Sequence, residues 1–186
     1  MRTWLWRMRM NTMTDFSALA PREEVTSAEA PSVVTFAAGQ MLYALPVERV
    51  QEILDLRPIA PLPNAPAHLL GLCDVRGAGV PVVDLRSLLG LPPTEDTGHS
   101  RILVTWIGGA EERHVVGIKT ERVIEVTTLD EGRMQHMSSA DMLNWTDTAV
   151  LGIGKRNGAF VTLLDIDRLM DPSRLTVFAE ARQGLV

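Results

Sequence analysis

The chain has 186 residues, 46% hydrophobic and 22% charged, enough to bury a core in one globular unit or in two small intertwined ones. Its 18 basic residues are outnumbered by 23 acidic ones, and the resulting −5 disfavours general nucleic-acid binding, which needs a basic surplus. The single Cys73 excludes an internal disulfide framework and fits a reducing compartment, and no apolar run is long enough to give a membrane-spanning helix.

In chain order, residues 1–14 come first. They carry Arg2, Arg7 and Arg9 and no acid, so the net charge divides into a +3 leader and a −8 body. Trp and Arg suit a membrane surface, but no continuous apolar stretch marks a secretory signal. The expectation is a disordered extension over 1–31, with the true start at Met8, Met10 or Met13. Residues 16–32 read as a linker. Strands follow at 33–38 and 41–45 around Gly39-Gln40, a two-residue hairpin turn with glycine first. Apolar 69–75 leads to an Arg76-Gly77 turn. Asp84 then precedes a Leu-rich helical turn, for which it is a good N-cap. A second hairpin is expected at 102–107 and 114–119 around Gly108-Gly109. A third spans 151–153 and 160–164 around Asn157-Gly158, the strongest short hairpin signal because both residues tolerate positive φ. Asp165 opens a second short helix. After the break at Asp171-Pro172, Ser173 caps an expected C-terminal helix through about Gln183, within a tail of 172–186.

The chain repeats itself. ALPVERVQEI from Ala44 aligns with GIKTERVIEV from Gly117, matching Glu48, Arg49, Val50 and Glu52 to Glu121, Arg122, Val123 and Glu125. The twenty residues from Leu70 align without a gap to those from Leu151. Leu70, Gly71, Gly77, Ala78, Val80, Asp84 and Leu88 recur as Leu151, Gly152, Gly158, Ala159, Val161, Asp165 and Leu169. An ancient duplication explains this register. Short strands with frequent Gly and Pro turns mean a barrel or sandwich, so two copies of about five strands mean two small barrels sharing one interface. The halves fall at roughly 32–91 and 100–171, with exchange of strands between them left open.

Catalysis finds little support. His68, His99, His114 and His136 are scattered, one cysteine makes no zinc signature, and neither a P-loop nor a nucleophile elbow occurs. Cys73 sits in an apolar stretch where an inert buried thiol is usual. Asp84 and Asp165 recur once per copy, which favours a structural cap over paired catalytic carboxylates. The informative positions are those where the copies disagree. Arg76 faces Asn157, Asp74 faces Lys155 and Pro81 faces Thr162. A hairpin-tip arginine kept by one copy alone is a candidate partner contact. Glu52 recurs as Glu125, which favours a scaffold role, and pairing with Arg76 is left open.

The same residues carry a resemblance. The segment from Phe36 to Ile53 with its YALPVxxVxEI core, the prolines near Pro61 and Pro63, and GLCDVRGAGVPVVDLR from Gly71 resemble the CheW family of chemotaxis scaffold proteins. VGIKTERVIEV from Val116 and the segment from Leu151 to Met170 resemble that family's second half. The resemblance covers about 32–171. It implies two intertwined five-stranded SH3-like barrels with short helices, no catalytic activity and no cofactor. It also implies cytoplasmic coupling of transmembrane chemoreceptors to a CheA-type histidine kinase within membrane-associated receptor arrays. Carried over residue by residue, the partner surface falls on Val50, Glu52, Ile53, Gly71, Asp74, Arg76 and Gly77. The family's usual Asn is Asp74 here, a bulky aliphatic is Gly79, and Val-Asp becomes Thr120-Glu121. Two other readings stand beside the adaptor: a ligand-binding regulatory barrel, and an adaptor serving a pili-linked or other kinase pathway.

Overall fold

The computed structural model describes residues 31–109, 112–130 and 149–171. The expected leader, the C-terminal helix and His136 lie outside them. Eleven strands and two four-residue helices follow in order: β1 (Ser32–Ala38), β2 (Met41–Pro46), β3 (Val50–Asp55), β4 (Ile59–Ala60), β5 (Leu69–Val75), β6 (Ala78–Asp84), α1 (Leu85–Leu88), β7 (Arg101–Ile107), β8 (His114–Thr120), β9 (Arg122–Thr128), β10 (Val150–Arg156), β11 (Ala159–Leu164) and α2 (Ile166–Leu169). A single 3₁₀ turn, Val47–Arg49, joins β2 to β3.

The strands form two sheets, ordered β10-β11-β2-β1-β9 and β3-β7-β8-β6-β5-β4. Each sheet takes strands from both sequence repeats. The first hairpin, β1–β2, leaves its own half to join β9, β10 and β11, and β7–β8 crosses the other way. The two exchanges are stitched by parallel pairs, β6 with β8 and β11 with β2. Their registers correspond across the repeat: Val82 opposes Gly117 as Leu163 opposes Ala44. Gly117 and Ala44 are small where the parallel strands close up. A Cβ on Gly117 would lie 2.9 Å from Ile102 Cγ2 and 3.1 Å from Val82 Cγ2.

Hydrogen bonding leaves both orders open, yet both sheets curl back on themselves. Strands β3 and β5 stand four places apart, about 19 Å on a flat sheet at ordinary strand spacing. Their side of the sheet nevertheless closes through Glu52 on β3 and Arg76 in the β5–β6 turn, 3.0 Å apart. The other sheet does the same. Its end strands β9 and β10 meet through Glu125 and Arg156, 2.8 Å apart. Side chains complete what the ladders leave open.

Burial follows from this curling. The largest cluster lies between the sheets and joins Val34, Phe36 and Leu45 to Leu85, Leu88, Leu103, Ile118, Leu164, Ile166 and Leu169. Each sheet also encloses a smaller cluster, one around Cys73, Val82, Ile102 and Val104, the other around Val33, Ala44, Val161 and Leu163. Strands β1 and β7 are therefore buried on both faces, which is why VVTFAA and ILVT read as continuous apolar runs. Edge strands β3 and β9 alternate between half-buried and exposed residues.

The turns match their sequence signals. Arg76 and Gly77 have φ of +56° and +85°, and Asn157 and Gly158 have +51° and +78°, so both hairpins turn through two left-handed residues. The capping expectation holds for one helix. Asp165 accepts from the backbone N–H groups of Asp167 and Arg168, whereas the Asp84 side chain makes no capping bond. Cys73 is buried, at 1% exposure, with its thiol near the carbonyl of Asp74.

Candidate functional site: the first-half hairpin tip

The residues singled out from the sequence divide into a surface group and a supporting group. The surface group gathers around the β5–β6 turn. The Arg76 side chain is 78% exposed, and its Nη2 donates to Glu52 Oε2 at 3.0 Å. The Glu52 carboxylate is largely covered, and its Oε1 is buried without a hydrogen-bond partner among the described residues. Asp74 holds the turn's shape, its Oδ1 accepting from Gly77 N at 2.7 Å. Arg57 donates to the Asp74 carbonyl, tying the β3–β4 connection to the same tip. Gly77 is needed for its φ, and a Cβ there would meet nothing within 4 Å.

Ile53 lies on the outer face of edge strand β3 and is 39% exposed. Leu62 and Leu72, in the same half, are similarly exposed. Among the described residues, strand β3 pairs only with β7, and its other edge has no strand partner.

Val50 and Gly71 behave differently. Val50 is half-buried against the central cluster. Gly71 is buried beneath β4, with φ of +142°, and a Cβ there would sit 2.1 Å from the Ala60 carbonyl oxygen. Both present little surface of their own.

The second half shows what distinguishes this tip. Arg156 donates from Nε and Nη2 to both oxygens of Glu125, at 2.8 and 3.1 Å, with Asp130 at 3.8 Å. This hydrogen bonding, with the guanidinium's charge, holds the Glu125 carboxyl below its ordinary range against an opposing push from burial. Arg156 is the last strand residue, one place before the equivalent of Arg76. Residue-by-residue alignment therefore sets Arg76 against Asn157 and hides the second arginine; a one-residue slide reveals it. The slide turns Arg156 inward, 29% exposed and doubly bonded, while Arg76 stands out from the turn. Both halves keep the closing ion pair, and only the first leaves most of its guanidinium to solvent.

The second half also exposes apolar side chains that lie outside the residues singled out from the sequence. Ile124 and Val126 on edge strand β9 are 41% and 56% exposed, and Phe160 is 63% exposed beneath the Lys155 ammonium. Hydrophobic alternation in β9 was the available signal.

Among the described residues, no cluster of three or more His, Cys, Asp or Glu is placed to hold a metal ion. No described helix is long and apolar enough to cross a membrane. Among the described residues, a duplicated, strand-exchanged β unit carries an exposed charged tip and strand edges without a partner, the build of a protein-docking module. The chain belongs to the CheW-like domain family, whose model matches residues 32–173. A probable chemotaxis protein CheW of Rhizobium etli is 27% identical over 139 residues, covering 74% of this chain and 85% of that protein. The chemotaxis protein CheW of Helicobacter pylori is 24% identical over 153 residues, covering 82% and 89%. The crystal structure of the scaffolding protein TtCheW from Thermoanaerobacter tengcongensis shares the fold, with a TM-score of 0.66 and 23% identity over 81% of this chain and 94% of that one.

Proposed function

We propose that this chain is a non-catalytic adaptor that couples transmembrane chemoreceptors to a CheA-type histidine kinase. The observation that carries the reading is the match to the CheW-like domain family over the whole two-sheet unit. The domain spans 32–171, with 1–31 and 172–186 as extensions outside it. The partners are the regulatory domain of the kinase and the cytoplasmic tips of the receptors, with no nucleic acid and no membrane insertion. The protein works in the cytoplasm, recruited to membrane-associated receptor arrays.

Its mechanism is docking by surface complementarity. Ile53 and the free edge of β3 supply apolar and backbone contact. Arg76 supplies charge and orientation, held by Glu52 and by the Asp74–Gly77 turn. Signalling arises because bound partners shift the kinase between states; no bond is made or broken in this chain. The test is isothermal titration of the full chain with the cognate kinase regulatory domain and with a receptor cytoplasmic fragment. Saturable binding to both, simultaneously, is the expected result. Binding to neither removes the adaptor reading.

A further inference from the structure

The two halves are tied together where their parallel strands end. Strands β6 and β8 run side by side to Asp84 and Lys119, so the first turn of α1 meets the residues that follow β8. Strands β11 and β2 do the same, so α2 meets the 3₁₀ turn between β2 and β3. At each meeting, one turn of an exchanged hairpin is held by a carboxylate and an arginine.

At the first, the Gly39 N–H of the β1–β2 turn donates to Glu121 Oε1 at 2.7 Å, and Arg86 on α1 donates to the same oxygen. A Cβ on Gly39 would lie 3.8 Å from Arg86 Nη1, so the guanidinium sits against the turn. Thr120 Oγ1 adds a buried hydrogen bond to the Ala37 carbonyl, 2.9 Å long. At the second, the Gly108 N–H at the start of the β7–β8 turn donates to Asp167 Oδ1 on α2, also at 2.7 Å. Arg49 pairs with Asp167 Oδ2 at 2.6 Å and reaches the Gly108 carbonyl at 3.4 Å. The alignment of the halves sets Arg86 against Asp167. The helix therefore supplies the cation in one place and the anion in the other, and the strand end supplies the opposite charge.

The two differ in cover. The Arg86 and Glu121 side chains are 13% and 28% exposed, those of Arg49 and Asp167 33% and 35%. Arg86 also donates to the Pro92 carbonyl. Solvent and salt reach the second group more readily, and screening weakens exposed pairs most.

We infer that these groups are independent latches on the two exchanged hairpins, and that the Arg49–Asp167 latch opens first. Its opening frees the start of the β7–β8 turn from α2 while the β1–β2 turn stays fastened, a local event costing less than global unfolding. Arg49 directly precedes β3, so the looser latch lies at the root of that edge strand. The inference uses neither kinase nor receptor and stands apart from the adaptor reading.

Amide hydrogen exchange of the full chain, followed by NMR as protection at Gly39 and Gly108, is the test. In the natural chain Gly108 is less protected than Gly39, and added salt widens the difference. Asp167→Ala lowers protection at Gly108 about tenfold or more, the loss of a hydrogen bond to a charged group, and leaves Gly39 as it was. Asp165 caps α2, so the helix survives this change. Asp167→Asn keeps an acceptor for Gly108 and removes only the ion pair, so its loss is smaller, and it serves as the reading if the alanine variant does not fold. Adding Arg49→Ala to Asp167→Ala lowers protection little further, because both act in one latch. Glu121→Ala has the converse effect, at Gly39 and not at Gly108. Equal losses at both glycines from either alanine variant overturn the inference, since they mark a general loosening. Unchanged protection at Gly108 in both Asp167 variants overturns it, as does a natural chain that protects Gly108 better than Gly39.

Discussion

Replacing Arg76 by alanine separates a contact residue from a structural one. The side chain is 78% exposed and makes one ion pair, to Glu52 at 3.0 Å. A pair whose guanidinium stays in solvent contributes about 0.2–1 kcal/mol, even with the Glu52 carboxylate covered beneath it. Arg76 already adopts φ of +56°, so alanine inherits a strain that the fold tolerates and adds little to it. The expected loss lowers the melting temperature by roughly 1–4 °C for a domain of this size. Binding should respond on a different scale. A charged group that becomes desolvated against a partner costs about 2–5 kcal/mol when truncated, which is at least roughly a 30-fold loss of affinity. Thermal melts and calorimetric titration against the kinase domain and the receptor fragment give both numbers. A nearly unchanged melt with a large affinity loss for one or both partners supports the contact. Unchanged affinity for both partners refutes it, and a melt lowered by more than about 10 °C shows that the Glu52–Arg76 pair is structural.

Three further outcomes are expected. Gly71→Ala drives a Cβ into the Ala60 carbonyl and costs at least about 2 kcal/mol; an unchanged melt with unchanged amide exchange in β4 and β5 would contradict the packing described. Arg156 depresses the Glu125 pKa in the folded chain, so the stability this pair supplies is complete above the ordinary carboxyl value of 4.5 and disappears as pH falls through the lower folded value. The gap between Glu125→Gln and the natural chain in denaturant titrations should therefore be widest near neutrality and shrink in acid; a gap that widens in acid reverses the sign of the argument. Removing residues 1–14 should leave the melt and partner affinities unaltered, and a lost affinity would assign those residues to the docking surface.

Local signals made the strands and turns legible. Gly39-Gln40, Arg76-Gly77 and Asn157-Gly158 marked three hairpins, and each lies between the strands expected of it. The duplication was legible because twenty residues held register without a gap. The exchange of hairpins was harder to read. Both halves carry the same strands, so a hairpin has a matching site on either half, and the β1–β9, β3–β7, β6–β8 and β11–β2 pairings between halves decide it. The Glu52–Arg76 contact was illegible for a related reason. The residues sit four strands apart in one sheet, and only its curling joins them. Arg156 was hidden by a one-residue slide. Gly71, carried over as surface, proved to be the floor on which β4 rests. Conformation was readable from composition; the joining of distant edges was not.

The adaptor account is tested most directly by reconstituting the cognate kinase with receptor-bearing vesicles and measuring autophosphorylation with and without the full chain. The account predicts that the phosphorylation rate responds to receptor stimulus only when the chain is present, and that Arg76→Ala blunts the response. Equal receptor control of the kinase in its absence would contradict the account.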